Sequence, residues 1–163
     1  MSASLSDLNF LSANRAVLTI PSLPETSYSL NKFKIPGLSL PAAVSQTPFR
    51  FEPFVGDKLQ YDDLECTFIV TANLSNWLEL YSWLRGISAP SDKSQFRNKD
   101  IEYEDLFITV FSSQNNPILK IVFENAVITQ LEGIDFDESI TETTTRTCDI
   151  TFKYSAYEIT TTL

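Results

Sequence analysis

The segment TCDITFKYSAY, residues 147–157, decides the fold class of this chain. Its apolar residues alternate strictly with polar ones, and a period of two is the pattern of a β-strand with one buried face. Other segments share this alternation or are rich in β-branched and aromatic residues, as strands are. The sequence therefore predicts a mainly β protein, an antiparallel β-sandwich or barrel. The further predicted strands are 15–20, 64–70, 106–111, 118–123 and 126–131.

The length of 163 residues and the mass of 18.4 kDa predict a single domain over 1–163. With 43% apolar and 20% charged residues, the chain has enough apolar surface to bury a core. Residues 1–10 contain no Lys or Arg, and no apolar run approaches the roughly 18 residues of a membrane span. We therefore expect neither a secretory signal nor a membrane anchor, and we expect 1–14 to form a flexible N-terminal arm.

One short amphipathic helix is predicted over about 74–85. Its apolar residues follow the i, i+3, i+4, i+7 spacing that places side chains on one stripe of a helix. Asn73 or Ser75 can cap its start, and Gly86 can end it. The predicted buried stripe consists of Leu74, Trp77, Leu78, Tyr81 and Leu84.

Two features next to this stripe are candidate contacts with another subunit. Trp83 points away from the predicted stripe, so either a loop covers it or a neighbouring subunit contacts it. The extended polar loop 88–100 is longer than a usual connection and carries a small basic cluster. That cluster consists of Lys93, Arg97 and Lys99.

The predicted hairpin at 106–123 is apolar on both faces, because Phe107 and Phe111 oppose Leu106, Ile108 and Val110. Neither face can simply be solvated, so a second sheet or a neighbouring subunit must cover one of them. We expect a barrel that closes between neighbouring copies to cover this second face. The segment from 21 to 53 holds six of the eight prolines, so strands there should be short, kinked or at sheet edges.

The residue types present argue against most catalytic mechanisms and metal sites. The chain has no histidine, which removes the commonest general base and the commonest metal ligand. Cys66 and Cys148 lie on apolar strand faces, and buried small hydrophobes are a better interpretation than a disulfide or a reactive thiol. No phosphate-binding or nucleophile motif occurs. We expect no catalytic, cofactor-binding or metal-binding residues, and no enzyme.

The net charge of −9 is concentrated near the C-terminus, where residues 101–163 hold eleven acidic and three basic residues. Such a chain is a poor candidate for gripping nucleic acid through its phosphates. The acidic run is either a solvated loop or a functional acidic surface. Its candidate residues are Glu132, Asp135, Asp137, Glu138, Glu142 and Asp149.

Several runs, taken in order, resemble the tail-tube family of contractile-tailed bacteriophages. They are LSLP at 38–41, GDKL at 56–59 before the strand at 64–70, and NLSNWLELYSWLRG at 73–86. The run NAVITQLEGIDFD at 125–137, followed by the long strand, is similar to the closing strands of that family. The family includes tube initiators and completion proteins and the inner tube of type VI secretion.

The resemblance implies a structural virion protein of the tail, assembled in the host cytoplasm. Six copies would form a homo-hexameric ring, and rings would stack into a tube through which DNA passes without specific binding. Tail sheath, baseplate and neck proteins would be its partners. The alternative within the family is a tube initiator, a terminator or an adaptor ring. Outside it, the alternatives are a monomeric small-ligand-binding β-barrel and, less favoured, a carbohydrate-binding platform on Trp77, Tyr81 and Trp83.

Physical reasoning then assigns the candidate surfaces within such a ring. A conduit should repel phosphate, because Lys and Arg on its wall would hold DNA through counterion-releasing contacts. The six acidic candidates named above are therefore predicted to line the channel. The basic cluster of the loop 88–100 is predicted to contact acidic neighbours, steering register more than adding affinity.

Overall fold

The computed structural model describes residues 13–23, 27–46, 51–88, 103–136 and 145–161, which form eleven strands and one helix. All strand pairs are antiparallel. The elements are β1 (Ala13–Thr19), β2 (Ser27–Phe33), β3 (Leu38–Ser39), β4 (Ala42–Gln46), β5 (Phe51–Val55), β6 (Gln60–Tyr61), β7 (Leu64–Ile69), α1 (Ser75–Ser88), β8 (Glu104–Ser112), β9 (Pro117–Leu131), β10 (Thr147–Lys153) and β11 (Ala156–Thr161).

Six strands close into a barrel within one chain. Their order is β10-β7-β2-β1-β8-β9, and β9 pairs back onto β10 to complete the circle. Alternate residues of each strand point inward and are buried, as the period of two requires. The predicted mainly β fold with one short helix is confirmed, and it is a barrel. One chain closes this barrel by itself, and a further barrel formed between neighbouring copies stays a prediction.

Large side chains fill the barrel interior. Several of them are almost completely inaccessible to solvent, so the interior is a packed core. The largest of these side chains are Tyr28, Phe68, Phe123 and Phe152.

Two predicted strand boundaries are wrong. The predicted strands 118–123 and 126–131 are one continuous strand, β9, which carries an extra residue at Glu124 and Asn125. Asn125 adopts a φ of 50°, and its amide donates a 3.0 Å hydrogen bond to the Asp105 carboxylate of β8. This β-bulge bends the strand without ending it.

The segment 147–157 is the second difference, because it divides into β10 and β11. The C-terminal half of β9 pairs with β10, and its N-terminal half pairs with β11. At the junction, the Ser155 amide donates to the Glu124 carbonyl at 3.0 Å. One long strand thus presents the same edge to two successive partners, and the chain steps from one partner to the other after Lys153.

Helix α1 buries a different stripe from the predicted one. Asn76, Leu80 and Trp83 face the barrel, while Leu78 and Tyr81 are 49% and 40% exposed. The helix is apolar on two sides, so spacing alone does not distinguish them. Gly86 does not end the helix, which runs on to Ser88. At the start, the Ser75 amide donates to the side chain of Asn73, one of the two predicted caps, at 3.3 Å.

Between β2 and β7 the chain forms an arm, which we define as the described residues 36–46 and 51–62. Its base is the two-stranded sheet β3–β6, and its outer part is the separate two-stranded sheet β4–β5. These short strands agree with the proline-rich prediction. β2 lies in the same segment but is neither short nor at an edge, because it has seven residues and pairs with both β1 and β7; it is irregular between Leu30 and Lys32. Gly56 joins the two parts at a crossing so close that a Cβ there would lie 1.9 Å from the Pro41 carbonyl oxygen. Only glycine fits this crossing without moving the backbone.

The predicted N-terminal arm 1–14 lies outside the described residues except for Ala13 and Asn14, which begin β1. The loop 88–100 also lies outside them, apart from Ser88 at the end of α1. Within the described part of the chain, no helix has the length and apolarity to cross a membrane.

Candidate functional site

Two of the six acidic candidates line a groove on the outside of the barrel. Glu132 and Asp149 line it together with Glu65 of β7, and it encloses about 390 Å³. Asp149 accepts a 2.5 Å hydrogen bond from the Thr67 hydroxyl, which fixes the carboxylate on the strand surface. Lys32 and Lys34 also line this groove, so its lining is mixed in sign. The sequence reasoning missed Glu65, although its position on the polar face of a predicted strand was a signal.

The structure brings together three of the six predicted channel-lining residues. Asp135 lies in an adjoining cavity of about 290 Å³, which Glu132 and Asp149 share with it. The amide of Glu132 donates to the Asp149 carbonyl at 3.0 Å, so the chain after β9 stays next to β10. Asp137, Glu138 and Glu142 lie outside the described residues. Whether any of these residues faces a channel stays a prediction.

The second apolar face of the predicted hairpin lies on the barrel exterior. Phe107 and Phe111 are half-buried there. The ammonium group of Lys120 lies 4.5 Å from the Phe107 ring centre, and the Arg15 guanidinium lies 6.0 Å from that of Phe111. Within the described residues, these two cations cover the rings where we expected a second sheet or a neighbour. Contact of a neighbouring subunit with this face stays a prediction.

β11 is the edge strand of the seven-stranded sheet. It pairs with β9 on one side, and within the described ranges no other strand pairs with its second side. Ile159, Thr160 and Thr161 are exposed on it. An exposed edge of this kind offers backbone N–H and C=O groups to a strand of another chain.

A cluster of aromatic rings joins this edge to the arm. Phe123 of β9 packs against Tyr154 and Tyr157, with ring centres 5.0 and 5.6 Å away. Tyr61 of the arm lies 5.8 Å from both of those tyrosine rings. Burial and the nearby charges of Tyr157, Asp62, Asp63 and Tyr61 raise the pKa of Tyr154. The sequence reasoning missed this cluster, because its members are far apart in the chain.

Helix α1 turns an aromatic stack outward. The Trp77 and Tyr81 rings are nearly parallel, with centres 5.4 Å apart, and the Arg85 guanidinium lies 6.0 Å from the Tyr81 ring centre. The Trp77 indole N–H donates to the Glu132 carbonyl at 3.1 Å, which ties the stack to the acidic groove. A flat carbohydrate platform is not formed, because Trp83 is in the core and the other two rings stack on each other.

Trp83 was predicted as an outward subunit contact, and this prediction is wrong for the described protomer. Its side chain is only 9% exposed and lies 6.3 Å, centre to centre, from the Phe152 ring. The helix begins after Leu74, whose φ of 59° is not helical, and tertiary packing selects the Leu80 and Trp83 side. The predicted contacts Lys93, Arg97 and Lys99 lie outside the described residues.

The two cysteines are buried and not paired with each other. Burial raises the pKa of Cys66 to about 12 and also raises that of Cys148. The folded state therefore favours the neutral thiols, and its stability should fall as the pH rises from about 9 towards 12.

We expect thiol reagents at pH 8 to label neither cysteine until the protein unfolds. Rapid labelling of the folded protein would contradict this assignment; labelling in denaturant is the control.

Within the described part of the chain, no group of three or more His, Cys, Asp or Glu residues is placed to hold a metal ion. The geometry instead presents surfaces: an edge strand, an arm, an acidic groove and an exposed helix face. Surfaces of this kind serve contacts between chains.

Comparison with known proteins agrees with this interpretation. The sequence is 26% identical over 150 residues to the tail tube terminator protein of Enterobacteria phage T4, covering 88% of this chain and 85% of that protein. No protein-family model matches the chain.

Solved structures share the fold. A chain of the PVC sheath/tube terminator of an extracellular contractile injection system, in its extended state, matches with a TM-score of 0.65 and 14% identity, covering 94% of this chain and 99% of that one. A chain of the PVC sheath–tube complex matches with a TM-score of 0.66 and 16% identity, covering 98% and 99%. The predicted resemblance to tail-tube proteins is confirmed.

Proposed function

Because this chain has the tail-tube fold and resembles a tail tube terminator over most of its length, we propose that it forms a ring that ends the tube of a contractile tail. The sequence similarity carries the proposal, since it spans 88% of this chain. Structural similarity alone does not separate a terminator from a main tube subunit, because the two TM-scores are 0.65 and 0.66. The terminator, the alternative at the sequence level, is therefore favoured over the main tube subunit.

The described geometry supports a ring subunit of this kind. The β11 edge offers lateral pairing to a second copy, and the arm, whose two sheets are separate from the barrel sheet, offers a second contact element. The packed interior speaks against the small-ligand-binding barrel, because aromatic side chains occupy the space a ligand would need. We propose a hexamer from the family resemblance, with sheath, tube and neck proteins as partners and the virion tail as its location.

Electron microscopy of the purified full chain tests the terminator role. We expect single rings and, when tubes of the matching main subunit are added, rings attached to one tube end. Long tubes formed by this chain alone would identify the main tube subunit instead. A particle that stays near 18.4 kDa at all concentrations would reject the ring.

We propose that the acidic groove with Glu65, Glu132 and Asp149 faces the channel of this ring. Its three carboxylates outnumber the two lysines of the groove, Lys32 and Lys34, so the groove has a net negative charge. The side of the barrel with Phe107 and Phe111 instead presents two cations over the rings. The second side would suit contact with protein better than passage of DNA, since cations on a wall retain DNA.

Charge reversal tests the channel assignment. Glu132→Lys rings should retain double-stranded DNA at 50 mM salt, because each copy replaces a repelling charge with an attracting one. Retention should fall at least about ten-fold at 200 mM salt, since counterion release drives it. The measurement is filter retention of short DNA duplexes by assembled rings.

Asp57→Lys is the matched control, because Asp57 is equally exposed but lies on the arm. It makes the same change in net charge outside the proposed channel and should retain little DNA. Equal retention by the two variants would mean that net charge alone acts, and the channel assignment would be wrong.

A further inference from the structure

The aromatic cluster on β10 and β11 holds both ends of the arm. The Tyr157 hydroxyl donates to the Pro36 carbonyl at 3.0 Å, immediately before β3. The Tyr154 hydroxyl donates to the Asp62 carbonyl at 2.8 Å, immediately after β6. The two ends are also joined to each other, because the Asp62 amide donates to the Gly37 carbonyl at 3.1 Å. The position of the whole arm therefore depends on two tyrosines from one short stretch.

That stretch is the place where β9 changes partner. Tyr154 follows β10, and Tyr157 is the second residue of β11. Tyr157 also pairs across the sheet with Phe123, whose ring contacts both tyrosines. A change in the order of β11 must consequently alter the packing that positions both hydroxyl groups.

The outer part of the arm is a separate two-stranded sheet. Its sheet β4–β5 pairs with neither the barrel sheet nor β3–β6. The close crossing of Gly56 over Pro41 removes a flexible joint between the outer sheet and the base. An orientation imposed at the base is therefore passed to the sheet β4–β5.

We propose that Tyr154 and Tyr157 are positioning residues that couple the β11 edge to the arm. Pairing of a second copy along β11 orders that strand, fixes the two tyrosines, and thereby sets the arm for its own contact. The arm becomes ready for a partner along the tube axis when lateral pairing has occurred. This use of the coupling rests on the proposed ring function, whereas the coupling itself is a property of one protomer.

Hydrogen exchange on the full-length monomer, at low concentration, tests the coupling directly. Ile159→Gly loosens β11 at an exposed position in its middle. We expect it to speed exchange of the β3–β6 amides at Ser39 and Gln60, and of the Asp62 amide that donates to Gly37, by at least about five-fold, the effect of a coupling near 1 kcal/mol. In the Tyr154→Phe/Tyr157→Phe background, Ile159→Gly should cause no further increase.

Two controls separate coupling from general destabilisation. Amides of the β7–β10 pair report on the barrel and should exchange at unchanged rates in all variants. Tyr103→Phe, at a tyrosine that is 61% exposed, removes a hydroxyl outside the cluster and should leave the response to Ile159→Gly intact. An equal response to Ile159→Gly with and without the two hydroxyls, or no response in either background, overturns the proposal.

Ring formation is then scored separately. Wild-type rings should protect the β3–β6 amides relative to the monomer, and rings of the double phenylalanine variant should not. If coupling is present in the monomer but no ring forms, the ring function fails and the coupling stands. If rings form but the monomer shows no coupling, the coupling fails and the ring function stands.

Discussion

Trp83→Ala is expected to lower the free energy of unfolding by about 3–5 kcal/mol, the usual loss when a buried tryptophan is truncated to alanine. The Trp83 ring lies between α1 and Phe152 of the barrel, and its side chain is 9% exposed. Removing it leaves a cavity where the only helix in the described part of the chain packs on the core. Urea unfolding of the monomer, followed by far-ultraviolet circular dichroism, measures the change.

Leu78→Ala is the matched control on the same helix. Leu78 is 49% exposed, so its truncation should change stability by about 0.5 kcal/mol or less. Nearly equal stabilities of the two variants would show that Trp83 points outward after all. If the exposed side of α1 contacts a partner, Leu78→Ala should weaken assembly more than Trp83→Ala does.

Asn76→Ala is expected to cost about 2 kcal/mol, because it removes a buried side-chain amide that satisfies two partly buried backbone groups. The Asn76 amide nitrogen donates to the Ile69 carbonyl at 2.9 Å, and its side-chain oxygen accepts from the Thr71 amide at 3.2 Å. Asn76 is 5% exposed, so water cannot readily replace these bonds. The residue joins the end of β7 to the first turn of α1.

Ser75→Ala tests whether this cost belongs to the buried amide or to the start of the helix in general. The Ser75 hydroxyl has an exposed contact with the Thr71 hydroxyl at 3.2 Å, so its loss should cost well under about 1 kcal/mol. Thermal unfolding of both variants provides the comparison. A Ser75→Ala effect as large as that of Asn76→Ala would refute the assignment to Asn76.

Sequence pattern predicted the strands well where one face is buried and the other polar. The alternation of Leu64, Cys66 and Phe68 fixed β7 to within one residue. Pattern was insufficient where two faces were equally apolar, as in α1, because only the packing against Tyr28 and Phe152 decides which face is inside. It also could not show that β9 continues through Asn125, since a bulge is a local backbone event supported by Asp105 of another strand.

The candidate surfaces were predictable in part. Charge counting found Glu132, Asp135 and Asp149, which the fold places together. The hydrogen bonds that hold the two ends of the arm could not be predicted, because Tyr154 and Tyr157 bind carbonyls of Asp62 and Pro36, about a hundred residues earlier. Contacts of such separation arise from topology, which a period in the sequence does not encode.

Because the β-barrel closes within a single polypeptide, folding can be complete before assembly begins. Each copy can fold soon after synthesis and accumulate as a folded protomer, since its apolar core is already buried. Assembly then requires only that the β11 edges and the arms of neighbouring copies align. Such contacts are reversible, so errors can be corrected. Under the proposed role, misplaced copies could dissociate and be reused without passing through an unfolded state.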